Sequence, residues 1–186
     1  MKGLILCGGR STRMQQDKST IAYHGMPQWQ YLYDLLQSLV PEVYLSCRAD
    51  QQPDFSDHIP VITDSVPGGG PIVGLLSAHA AFPDSAWLVL ACDLPLISLQ
   101  SLSFLVHARQ PEKDATALLS PFNNSPEPLI AIWEAKGLEL LKNSGKSCPR
   151  KALLQADVLV LENPYPTEQF NANTPEEMQA AKDQLH

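Results

Sequence analysis

Charged side chains are scarce in this chain of 186 residues, at 18 % against the roughly 25 % of an average soluble domain. Apolar residues make up 44 %, so a disordered acidic chain, which cannot bury enough apolar surface to order itself, is excluded. Long apolar runs are missing as well. Trp87 to Cys92 covers six residues, far short of the ~20 needed to span a bilayer. The run Leu4 to Cys7 is too short for the apolar core of a secretory signal, and cytoplasm is the expected compartment. The four cysteines, at 7, 47, 92 and 148, include no C-x-x-C pair, which argues against a zinc knuckle or a disulfide framework. Histidines 24, 58, 79, 107 and 186 show no metal-ligand spacing. No internal repeat or block of five like charges interrupts the chain, and its length fits one domain, residues 1–186.

What is present is an alternation of strand and helix signals. Gly3 to Cys7 is a short apolar run ended by Gly8-Gly9. After it, Trp29, Leu32, Leu35, Leu36 and Leu39 recur at helical spacing behind Pro27. Strands are predicted at Val43 to Ser46, Ile59 to Thr63, Trp87 to Ala91, Ala115 to Leu119, Leu129 to Trp133 and Val158 to Leu161. Further helices are predicted over Ile72 to Phe82, Ser98 to Arg109, Glu134 to Lys142 and Pro149 to Gln155. The last begins at Thr174-Pro175-Glu176-Glu177, a capping box with proline in the first turn, and runs to about Leu185. This alternation predicts an α/β fold: a single doubly wound, Rossmann-like, mostly parallel sheet. Pro126-Glu127-Pro128 before a strand suggests an antiparallel edge. Trp29, Tyr31 and Tyr33 read as core-packing residues of one helix.

In open sheets of this kind ligands bind outside the carboxyl ends of the parallel strands. The residues directly after the strands are therefore the candidates: the Gly8-Gly9 loop through Lys18, then Asp64, then Asp93 in Cys92-Asp93-Leu94-Pro95. Glycines let backbone N–H groups approach phosphate oxygens, Arg13 and Lys18 add charge, and the two carboxylates are hard oxygen ligands suited to Mg²⁺. The loop is neither of the two common phosphate binders. No glycine occupies positions 10 to 17, as a Walker loop requires, and G-x-G-x-x-G is absent. Charge distribution agrees. Residues 1 to 18 carry a net +3 in a chain of net −7, which suits a compact anion rather than an extended nucleic acid. A second basic cluster, Lys142, Lys146, Arg150 and Lys151, would attract an anionic phosphate or form a solvated helix end. Cys7, Cys47 and Cys92 each close an apolar run, which would line them up along one sheet edge as packing residues near a site.

The segment from Leu6 to Lys18, L-x-G-G-x-S-x-R-M-x-x-D-K, resembles the signature loop of the MobA-like nucleotidyltransferases, and its Gly8-Gly9 and Asp17-Lys18 pairs resemble the guanylyltransferase branch. The likeness extends through Thr63-Asp64, Gly68 to Leu76, Cys92 to Pro95, Glu127 to Ala131 and Asn171 to Glu177. One departure is Gln15, where the family has glycine; a residue forced to φ > 0 there would be strained by about 1–2 kcal/mol.

The resemblance implies a fold like that of the nucleotide-diphospho-sugar transferases. The implied reaction transfers GMP from GTP to the terminal phosphate of molybdopterin with release of pyrophosphate, and Mg²⁺ is the implied cofactor. Leu6, Cys7, Gly8 and Gly9 would contact the nucleotide through the backbone, with Lys18 on its phosphates and Arg48 and Asp64 lining its pocket. Arg13 would stabilise the departing pyrophosphate, Asp93 would hold the metal, and Asn171 and Asn173 would reach the acceptor. The implied partners are these two substrates, with transient contact to other molybdenum cofactor proteins. A monomer without nucleic-acid or membrane partners is expected. The same residues also suit a transferase using CTP or a sugar phosphate, or a nucleotide-binding module without catalysis.

Overall fold

Seven short strands with apolar side chains on both faces assemble into one sheet in the order β3-β2-β1-β4-β6-β5-β7. They are β1 Lys2–Leu6, β2 Val43–Cys47, β3 Val61–Thr63, β4 Trp87–Ala91, β5 Ala115–Leu119, β6 Pro126–Trp133 and β7 Val158–Leu161. The computed structural model describes residues 1–8, 17–52, 55, 58–145 and 147–185. Gly9, Arg13, Gln15, Lys146 and His186, named above, lie outside the described residues. β1, β2, β3 and β4 pair in parallel, and β5 and β7 pair in parallel with each other. β6 runs antiparallel to both of its neighbours, β4 and β5.

The period of two along each strand sorts its side chains between two cores. Ile5, Leu45, Leu88, Leu90, Ile130 and Ile132 face one layer, with Leu32 and Leu36 of α1 (Gln28–Gln37) and Leu102 and Leu105 of α3 (Leu99–His107). Leu4, Leu6, Trp87, Val89, Ala131 and Trp133 face the other. That second layer holds α2 (Pro71–Ala81), α4 (Ala135–Asn143) and α5 (Pro149–Leu153). The expected doubly wound sheet is observed. Its antiparallel strand is interior rather than at the edge, which corrects that expectation. The prolines are tolerated there because β4 pairs only with residues 130–133 of β6. Pro126 and Pro128 sit in the half that lacks a partner on the β4 side, and the β5 side carries a register shift between Ala117 and Leu119.

The C-terminal segment crosses the carboxyl ends of the strands. A 3₁₀ turn over Pro166–Gln169 is pinned by Glu168, which accepts from Ser98 N at 3.0 Å and Ser98 Oγ at 2.8 Å. Gln169 Nε2 donates to Leu119 O at 3.0 Å. The predicted capping box of α6 (Pro175–Leu185) is formed: Glu177 N donates to Thr174 Oγ1, and Glu177 Oε2 accepts from Thr174 N. A small third cluster, Ile21, Tyr23, Ala172 and Ala181, packs this segment against the chain leading into α1.

Candidate active site

Asp93 follows β4 directly, and its loop is fastened from the α1 side. Buried Gln28 donates through Nε2 to Leu94 O at 3.0 Å, and His24 Nε2 lies 2.8 Å from Pro95 O. Tyr31 donates its hydroxyl to Ile97 O at 3.0 Å while its ring stacks on that of His24. The carboxylate is therefore held on a fixed loop above the sheet. Asn171 Nδ2 donates to Asp93 Oδ1 at 3.1 Å, and Ala172 N donates to Asp93 O at 2.9 Å. Burial pushes the Asp93 carboxyl above the usual aspartate range; Lys18 and the Asn171 hydrogen bond pull it back, and Glu127 adds to the rise.

Lys18 reaches the same point from the end of the signature loop, opening a 3₁₀ turn over Lys18–Thr20 that Asp17 caps. Its Nζ donates to Asn173 Oδ1 at 2.5 Å and lies 3.8 Å from Asp93 Oδ2. Lys18, Asp93, Asn171 and Asn173 thus form one connected polar cluster drawn from three distant chain segments. Asp17 is held in turn by Ser19 N at 2.9 Å, Ser19 Oγ at 2.7 Å and Gln51 Nε2. Gln51 is almost fully buried, donates also to Cys7 O at 3.4 Å, and accepts from Arg48 N at 3.2 Å. Sequence reasoning passed over Gln51, since an uncharged amide in a polar loop gives no pattern to read.

Two cavities open at the carboxyl ends of the strands. One, of about 440 Å³, is lined by Leu6, Gly8, Ser46, Arg48, Asp64 and the glycines before α2. Gly68 and Gly70 have φ of +140° and +75°, conformations that favour glycine. At Gly74 a Cβ would meet Ser46 Oγ at 2.5 Å and Leu6 Cδ2 at 2.6 Å, so α2 comes this close to the sheet only because that residue is glycine. Arg48 forks onto Asp50 at 3.0 and 3.1 Å while its Nη1 is buried without a partner. Burial raises the Asp64 carboxyl, and Arg48 opposes the rise. Leu6, Cys7, Gly8, Arg48 and Asp64 are thus gathered on this side of the site. The N–H groups of Cys7 and Gly8 both donate to Ser46 O, at 2.9 and 3.1 Å, and are not free for a ligand.

The other cavity, of about 420 Å³, is lined by Asp93, Asn171 and Asn173 together with Glu127, Arg150 and Phe122. Arg150 was marked in the sequence only as one of four basic residues. Lys142 instead pairs with Glu139 on α4, at 3.2 Å. Glu127 lies in one of the family-like motifs, whose pattern alone points to no role for it. Cys7, Cys47 and Cys92 lie buried as free thiols along the carboxyl edge, as the apolar runs predicted, and burial raises all three, Cys47 to about 11. Trp29, Tyr31 and Tyr33 pack on the core as expected. Among the described residues, no helix is long and apolar enough to cross a membrane.

Comparison with known proteins places these features in a family. Residues 3–166 match the family model described as the MobA-like NTP transferase domain. A molybdenum cofactor biosynthesis bifunctional protein of Synechocystis is 34 % identical over 94 % of this chain; the chain spans only 52 % of that protein. A molybdenum cofactor guanylyltransferase of Pseudomonas fluorescens is 32 % identical, with 95 % of this chain and 90 % of that protein covered. Among solved structures, molybdopterin-guanine dinucleotide biosynthesis protein A from Archaeoglobus fulgidus superposes with a TM-score of 0.81 at 21 % identity, covering 100 % of this chain and 98 % of that one.

Proposed function

The chain belongs to the MobA-like NTP transferase domain family, and on that premise we propose that it transfers GMP from GTP to the terminal phosphate of molybdopterin, releasing pyrophosphate. The observation that carries this reading is the Lys18–Asp93–Asn171–Asn173 cluster in the wall of one cavity, with a second cavity of similar volume beyond the carboxyl ends of β1, β2 and β3. A transferase needs such an arrangement, because donor and acceptor must meet at one phosphorus. The names of the relatives supply the choice of guanine and of molybdopterin.

The donor nucleotide occupies the cavity beside Gly8, Arg48 and Asp64, and the acceptor occupies the one beside Asn171 and Asn173. Lys18 stands beside Asp93 and Asn173 of the acceptor cavity, where its ammonium neutralises phosphate charge as the bridging bond changes hands. Asn173 fixes the direction of that ammonium through a hydrogen bond to its own side-chain oxygen. Catalysis here is positioning and electrostatics, since phosphoryl chemistry asks little covalent work of the protein. Arg13, from the loop beyond Gly8, is assigned to the leaving pyrophosphate by its place in the signature motif.

The residues present fit a magnesium ion. Among the described residues, the cation beside Asp93 Oδ2 is Lys18, at 3.8 Å, and burial disfavours the charged carboxylate, which a bound cation would relieve. No group of three or more His, Cys, Asp or Glu gathers among the described residues. The ion would therefore be held by Asp93, water and substrate phosphates, the usual manner of Mg²⁺ in such sites. Bound there, it would supply Lewis-acid stabilisation of phosphate charge. The test is transfer of label from GTP carrying ³²P at the α position to a molybdopterin acceptor. A labelled guanine dinucleotide is expected; label appearing only as free GMP would overturn the proposal.

A further inference from the structure

Three arginine–carboxylate pairs of this chain differ in quality. Arg48 meets Asp50 through Nε and Nη2 at 3.0 and 3.1 Å, and Arg109 meets Glu134 through the same two atoms at 2.7 and 2.8 Å. Both use the side-on fork that matches guanidinium to carboxylate. Arg150 offers Glu127 a single nitrogen, Nη2, shared between both oxygens at 3.4 and 3.3 Å, while its Nε is buried with no partner. The pair lies in the wall of the acceptor cavity. A carboxylate with acceptor capacity to spare thus stands beside a guanidinium with donor capacity to spare.

This part of the wall offers no unopposed charge to a phosphate, because the Arg150 guanidinium already faces the Glu127 carboxylate. It suits a flat neutral ring bearing adjacent donors and an acceptor. An aromatic face is supplied at the same place. Phe122 lines the cavity with 63 % of its surface exposed, on the turn between β5 and β6. That turn is fixed by Ser120 N to Ser125 O at 2.9 Å, Asn124 N to Ser120 O at 3.0 Å, and Asn124 at φ +52°. An aromatic ring presented on a rigid turn over a polar cavity is a platform for stacking a heterocycle.

We propose that Glu127, Arg150 and Phe122 form the subsite for the acceptor's ring, reading a 2-amino-4-oxo pyrimidine edge: the carboxylate accepts from the ring N–H and the amino group, the guanidinium donates to the oxo group, and Phe122 covers the face. Pterin and guanine share this edge, and the pterin of the acceptor is the assigned source. The inference rests on the proposed acceptor reading. It also names the residues that set acceptor specificity, because a half-buried carboxylate left without its donors discriminates against analogues lacking them.

The test titrates the full-length protein with 6-hydroxymethylpterin, followed by fluorescence anisotropy, and with the analogue that has oxygen in place of the 2-amino group. The wild-type protein binds the pterin at least tenfold more tightly than the analogue, and saturating GTP does not displace it. E127Q loses tenfold or more in pterin affinity and narrows the preference to under threefold, because an amide accepts at one atom and donates at the other. F122A, a change at an exposed side chain that leaves the fold intact, weakens both ligands alike by about fivefold. Pterin binding to E127Q within twofold of wild type would overturn the inference; if label still passed from GTP to the acceptor, the transferase reading would stand without it. Displacement of the pterin by GTP would overturn it by giving the subsite to guanine. Absence of pterin binding to the wild-type protein would also overturn it, and loss of label transfer alongside would take the acceptor reading with it.

Discussion

Replacing Lys18 with alanine removes the ammonium that lies 3.8 Å from Asp93 Oδ2. Two unit charges about 4 Å apart interact by about 4 kcal/mol at an effective dielectric near 20. A partly exposed lysine, 18 % accessible at its side chain, facing phosphates that water also solvates, retains part of this. Loss of a single preorganised charge partner typically costs about 10² to 10³ in turnover, and Lys18→Ala should fall in that range. The second consequence is a pH shift of known sign. Lys18 holds the Asp93 carboxyl down against burial, so its removal lets that pKa rise further. Reaction that requires ionised Asp93 then fails at higher pH, and the acid limb of the kcat/KM profile moves upward. The assay is pyrophosphate release from GTP with acceptor between pH 5 and 9, for wild type, Lys18→Ala and Lys18→Arg. Lys18→Arg keeps the charge and should leave the acid limb near its wild-type position. A Lys18→Ala rate within threefold of wild type, or an unmoved acid limb, would refute the reasoning.

Asp93→Ala should lower turnover at least about 10²-fold, with thermal stability retained as checked by calorimetry. Gly74→Ala places a methyl 2.5 Å from Ser46 Oγ and 2.6 Å from Leu6 Cδ2. It should cost about 1–3 kcal/mol by overpacking, read as a lowered Tm, together with weaker GTP binding by calorimetric titration. Gln51→Leu leaves the Asp17 carboxylate without its amide donor; an uncompensated loss of this kind costs about 1–3 kcal/mol, visible in urea unfolding. Native-state alkylation followed by mass spectrometry should modify half-buried Cys148 before Cys7, Cys47 and Cys92, whose thiols are buried and raised. Fast labelling of Cys92 would contradict the packing role.

Legibility of this chain in its sequence followed the range of the interactions. Strand and helix identity came from local periodicity, and Trp87–Ala91, Ala115–Leu119 and Val158–Leu161 match residue for residue. The capping box at Thr174 was readable because all of its donors and acceptors lie within four residues. The sequence predicts β6 as shorter and at an edge, since Pro126 and Pro128 carry an edge signal. Nothing local shows that a strand can be interior over one half and unpaired on one side over the other. At the site, Asp64 and Asp93 stand out as carboxylates just after strands, and Lys18 as the charged end of the glycine loop. Gln51 and the Glu127–Arg150 pair do not, because their meaning lies in partners 34 and 23 positions away. The basic cluster containing Arg150 was visible, but its division between cavity wall and solvated helix face depends on how α4 and α5 pack.

The central claim, transfer of a guanylyl group to a pterin phosphate across the Lys18–Asp93 junction, is tested most directly by pyrophosphate release. The protein is supplied with GTP, CTP, ATP or UTP and Mg²⁺, each with and without molybdopterin. Release from GTP that depends on the acceptor, with little from the other three, is the predicted result. Release from another nucleotide, or none from GTP that demonstrably binds, would contradict it.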